Sequence, residues 1–133
     1  MRRFWWVVLL MVLFGVTLSG CGASSATQAA YVNISVSDLQ AKLSSGEPLL
    51  LLDVRSPEEF ANDGHIAQAV LIPLPELGQR LNEIPKDVPI ACICRSGNRS
   101  QSACQQLTAA GYTPVYNVVG GMGAWIQAGL PTQ

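Results

Sequence analysis

The stretch "VPIACICRSGNRSQSAC", residues 88–104, changes character half-way along. Its first half is apolar with no alternation, as in a β-strand covered on both faces. From Asn98 or Arg99 a helical pattern begins and runs to Gly111, where a left-handed cap fits. The four residues between, "RSGN", must turn the chain sharply, and Gly97 can take the positive φ such a turn needs. A buried strand, a tight turn and a helix make one strand–helix unit of an α/β domain.

The same alternation extends in both directions. "YVNI" (31–34) is a short β-rich start, and "SVSDLQAKLSSG" (35–46) reads as a helix. Ser35 is its N-cap, Asp38 lies three residues on, and Gly46 falls just past its end. "PLLLLDV" (48–54) is a second continuous apolar run. In "SPEEF" (56–60), Ser56 is a cap and Pro57 the first helical residue. "AVLIPL" (69–74) is a strand closed by prolines, and "PELGQRLNEI" (75–84) a helix with Leu77, Leu81 and Ile84 on one stripe. "PVYNVVGG" (114–121) supplies the last strand and "GGMGAWIQAGL" (120–130) the closing helix. This order predicts a compact, doubly wound α/β domain over residues 31–133, with a central, mostly parallel five-stranded sheet and helices on both faces. Ligands of such sheets bind beyond the carboxyl ends of the strands. Two strands end there in "DVR" and "CICRSGNR", so their polar residues meet at one edge.

The first thirty residues have another composition. Arg2 and Arg3 precede the uncharged run "FWWVVLLMVLFGVTL" (4–18), the length of a signal-peptide core and short for a relaxed membrane span. "LSGC" (18–21) resembles the lipobox of bacterial lipoproteins. That resemblance implies a signal peptide over 1–20, a lipidated Cys21 as the mature N-terminus, export, and a membrane partner reached through the lipid. Residues 21–30, the lipidated cysteine and "GASSATQAA", then form a small-residue tether. Without residues 1–20, six basic residues face nine acidic ones, a net charge of −3 that offers no footprint for nucleic acid.

Three cysteines remain: Cys92, Cys94 and Cys104. With wrong spacings and a single histidine, His65, they do not make a zinc site, and nothing calls for a cofactor. Cys94 ends the apolar run. The backbone N–H groups of residues 95–99 should point inward as a nest at the positive end of a helix dipole. A thiolate placed there has its pKa lowered from the free value of ~8.5 and is a nucleophile. Arg95 and Arg99 add positive charge, Arg99 also being placed to pair with Asp53 or Glu59. Cys92 shares a sheet face with Cys94 and reads as core. Cys104 lies roughly 9 Å along the helix axis, too far for an unstrained disulfide to Cys94. His65 reads as a backbone-bonding turn residue and Trp125 as a core anchor.

"CRSGNRS" (94–100) resembles the active-site loop of single-domain rhodaneses, sulfurtransferases that form a persulfide. "LLDVRSPEEF" (51–60), "GHI" (64–66), "VLIPL" (70–74) and "GGMGAW" (120–125) match the family's other landmarks in order. The resemblance implies the rhodanese-like fold and a carrier role for Cys94. It takes a sulfane sulfur from thiosulfate or another persulfide donor and passes it to a thiol or to cyanide. Arg95, Ser96, Gly97, Asn98 and Arg99 form the binding loop, with Asp53 and Arg55 as supporting scaffold. Related cysteine phosphatases use C-x5-R, whereas Cys94 to Arg99 is C-x4-R. Long rhodaneses carry lysine two residues after the nucleophile; Ser96 stands there here. A persulfide- or redox-sensing module on the same fold is the alternative.

Overall fold

The computed structural model describes residues 30–133. Five strands form one sheet in the order β1-β5-β4-β2-β3, and every pairing is parallel. They are β1 (Val32–Ile34), β2 (Leu50–Asp53), β3 (Ala69–Leu71), β4 (Ile90–Ile93) and β5 (Val115–Val118). The helices are α1 (Val36–Ser44), α2 (Pro57–Asn62), α3 (Leu74–Leu77), α4 (Asn98–Ala109) and α5 (Gly121–Gln127).

Central β4 shows why the two apolar runs do not alternate. Ile90 and Cys92 enter one core with Cys94, Ala103, Cys104 and Leu107 of the α4 side. Ala91 and Ile93 enter the other with Leu39 of α1 and Met122 and Trp125 of α5. Successive side chains leave a strand on opposite faces, so a strand covered on both sides must be apolar throughout. Cys92 and Cys94 therefore share a face, and Trp125 is fully buried.

Capping follows the sequence. Ser35 and Asp38 form a reciprocal capping box, as do Ser56 and Glu59, and Pro57 opens α2. Gly111 ends α4 at φ +87.

The stretch 75–84 differs from the expected single helix. It forms the short α3 and a separate 3-10 turn, Leu81–Glu83. Gly78 sits at the break, and the amides of Gln79 and Arg80 bond three residues back, to Glu76 and Leu77, not four. Leu77 and Ile84 still reach the core, so the predicted apolar stripe survives the change of backbone.

Candidate functional site

Asp53 of β2 and Ile93 of β4 are register partners, so the two strands end together at the carboxyl edge. Cys94 is the next residue after β4. The chain then turns through Gly97 at φ +99 and enters α4 at Asn98. The Gly97 amide donates to Cys94 Sγ at 3.1 Å. A Cβ at residue 97 would lie 3.2 Å from the Gly120 nitrogen, so the turn is tight as well as left-handed.

The turn is held from behind by α5. The amide of Met122 donates to the carbonyl of Cys94 at 2.8 Å, and that of Gly123 to the carbonyl of Arg95 at 3.0 Å. With those carbonyls taken, the following amides face the sulfur. Burial pushes the Cys94 thiol pKa up, but hydrogen bonds from the Ser100 hydroxyl and from the amides of Ser100, Gly97 and Ser96 together outweigh it. The net result lies below the ordinary cysteine value.

Two details depart from the sequence reading. The nest is made by the amides of Ser96, Gly97 and Ser100, a narrower set than residues 95–99 with the next helical turn added. The arginine charges are not what lowers the thiol. Arg99 is taken by Glu59 of α2 through two bonds of 2.7 Å, so it is a structural pair. Arg95 is exposed and lines a hollow of about 160 Å³ with Asp63, Met122 and Ile126, while Ser96 and Asn98 are exposed on the loop's outer side. Cys94 itself has no solvent exposure.

Asp53 and Arg55 form a buried pair, Arg55 Nη2 lying 2.8 Å from Asp53 Oδ2. Arg55 also donates to the carbonyls of Glu59 and Gly64. The pair thus ties the end of β2 to α2, whose Glu59 holds Arg99. His65 stacks on Phe60 and lies 3.1 Å from its carbonyl through Nδ1, the expected structural role. Cys92 and Cys104 are buried free thiols, and the neighbouring Cys104 and burial push the Cys92 pKa well up. Cys21 lies outside the described residues.

The sequence reading gives neither Ser100 nor Asn117 a role at the sulfur. The Cys94 thiol donates to Ser100 Oγ at 3.4 Å, and Ser100 donates to Asn117 Oδ1 at 2.6 Å. A signal existed: Asn117 is the one polar residue in the apolar run "PVYNVV", and a buried polar group needs a partner.

The chain around this cysteine matches a known family. The rhodanese-like domain covers residues 35–128, which include the whole loop. The chain belongs to the rhodanese-like family. A sulfurtransferase of Allochromatium vinosum is 43% identical over 93 residues, 70% of this chain and 86% of that protein. The rhodanese-like domain protein of Staphylococcus aureus superposes with a TM-score of 0.66 at 36% identity, over 71% of this chain and 90% of its own. A rhodanese-like domain from Anabaena gives a TM-score of 0.68 at 31% identity, over 76% of this chain and 77% of its own. The match spans both the turn after Cys94 and the α5 residues that bond to it.

Proposed function

We propose that this rhodanese-like chain is a sulfurtransferase-family enzyme that carries sulfur on Cys94. The observation that supports it most is the Gly97 amide on Cys94 Sγ at 3.1 Å, joined by the amides of Ser96 and Ser100. That set of donors suits an anionic sulfur before and after transfer. The Cys94 thiolate attacks the outer sulfur of thiosulfate. The S–S bond of the donor breaks, sulfite leaves with the electron pair, and Cys94 holds a persulfide anion. Cyanide or a thiolate then attacks the outer sulfur, leaving as thiocyanate or as a new persulfide and returning the Cys94 thiolate. A persulfide donor follows the same course with a thiolate leaving. Arg95, Ser96 and Asn98 face solvent, so access lies on that side of the loop, and Arg95 steers anionic donors.

Binding phosphate is a poorer fit for this loop, because Arg99, the residue that would hold the phosphate, is already bonded through both terminal nitrogens to Glu59. Complete burial of Cys94 favours one second reading, a slow persulfide or redox sensor. Turnover separates them: a transferase converts thiosulfate or glutathione persulfide with cyanide over many cycles, and Cys94→Ala abolishes it. A single loading without turnover supports the sensor.

The location is part of the same proposal. "LSGC" at 18–21, after an uncharged run, supports a signal peptide over 1–20, a lipid on Cys21 and a domain tethered to the cell envelope through residues 21–30. Release of a labelled fatty acid from the N-terminal peptide, and its loss in Cys21→Ser, tests it.

A further inference from the structure

Ser100 has one hydroxyl proton and two neighbours that need it. With Cys94 as a thiol, the chain of bonds has one direction. The thiol donates to Ser100 Oγ at 3.4 Å, Ser100 donates to Asn117 Oδ1 at 2.6 Å, and Asn117 Nδ2 donates to Asn33 Oδ1 at 2.9 Å. With Cys94 as a thiolate or persulfide anion, the sulfur can only accept, and the Ser100 proton belongs on sulfur. Asn117 is 1% exposed, so its Oδ1 would then be a buried acceptor without a donor.

A carboxamide can resolve this, because its oxygen and nitrogen have nearly the same shape and exchange places by a half turn. Asn33 and Asn117 are direct register partners on β1 and β5, which sets their side chains side by side. Asn33 is exposed and free to turn. We propose that Ser100, Asn117 and Asn33 form a hydrogen-bond chain that reverses direction with the charge on Cys94, making the two asparagines positioning residues for the nucleophile. In the anionic state Asn33 Nδ2 donates to Asn117 Oδ1, Asn117 Nδ2 donates to Ser100 Oγ, and the Ser100 hydroxyl donates to sulfur. Every buried polar atom is satisfied in both directions. The chain carries no proton; the one that leaves Cys94 goes to solvent.

Other groups around the sulfur do not supply the same control. On α4 the charged side chain is Arg99, paired with Glu59; at the end of β2 Asp53 is paired with Arg55; Arg95 is exposed on the loop. β5 and α5 bring no charge, and the remaining titratable neighbours are the buried thiols Cys92 and Cys104.

The inference rests on the carrier reading of Cys94, but its test needs no sulfur donor. Alkylation of Cys94 by iodoacetamide, followed by peptide mapping of the detergent-solubilised full chain across pH, gives the thiol midpoint. Asn33→Asp can only accept, so it pins Asn117 Nδ2 to residue 33 and Asn117 Oδ1 to Ser100. The midpoint should rise by about one pH unit, a tenfold loss of thiolate near neutral pH. Val32→Asp puts the same charge on the adjacent exposed side chain and should leave the midpoint in place. In Ser100→Ala the chain is cut, and adding Asn33→Asp should shift nothing further. An unmoved midpoint in Asn33→Asp, an equal shift in Val32→Asp, or a shift that persists in the Ser100→Ala background overturns the relay and leaves sulfur transfer standing. A chain that accepts no sulfur defeats the carrier reading while the midpoints still report on the relay.

Discussion

The amide of Met122 donates to the carbonyl oxygen of Cys94 at 2.8 Å, joining the first turn of α5 to the cysteine that opens the loop. The contact is possible because residue 121 has no side chain. A Cβ there would collide with the Cys94 carbonyl, and Gly121 sits at φ +54. The brace turns two carbonyls away from the sulfur and leaves the following amides to face it. Gly121→Ala should therefore lower stability by about 1–3 kcal/mol, through left-handed strain and the collision. It should also slow Cys94 alkylation at neutral pH. Urea denaturation and an iodoacetamide time course check both effects; a variant that keeps both properties would show that α5 does not set the loop.

Glu59 gives the domain an acid-sensitive contact. Hydrogen bonding to Arg99, set against partial burial and helped by the Ser56 amide, holds its carboxyl at about 2, below the ordinary 4.5. The folded value is the depressed one, so this contribution is complete above the unfolded value and is lost as pH falls from 4.5 towards 2. Because Arg99 is 39% exposed, the amount is modest, about 1 kcal/mol after screening. Urea midpoints of wild type and Glu59→Gln should differ at pH 6 and converge at pH 2. A difference that stays constant over that range would mean the pair is not its source.

Asp53 and Arg55 are 0% and 1% exposed, so neither can be removed alone without leaving its partner as a buried charge. Asp53→Ala should cost about 3–5 kcal/mol. The double variant Asp53→Ala, Arg55→Leu should recover part of that loss, since no charge is left stranded. Denaturant unfolding of the single and double variants decides it. Equal loss in both would place the cost in packing instead.

Strand and helix order was legible because buried parallel strands write themselves as apolar runs, and capping serines and glycines mark the ends between them. "CRSGNRS" exposed the loop for a similar local reason: its glycine, its cysteine and the helix start all lie within seven residues. The break at Gly78 was hidden, since Leu77 and Ile84 keep a helical spacing although the backbone between them is not one helix. Sequence does not choose between Asp53 and Glu59 as the partner of Arg99, because forty residues separate Arg99 from Glu59. Asn117 and Asn33 were harder still. Their meeting depends on β1 returning to lie beside β5, a pairing of the first and last strands that no local pattern encodes.

Intact mass of the full chain after incubation with thiosulfate or glutathione persulfide tests the central claim most directly. A gain of about 32 Da, mapped to Cys94, removed by cyanide and absent in Cys94→Ser, is the predicted result. A chain that gains only oxygen, or that takes the sulfur equally well without Cys94, would contradict it.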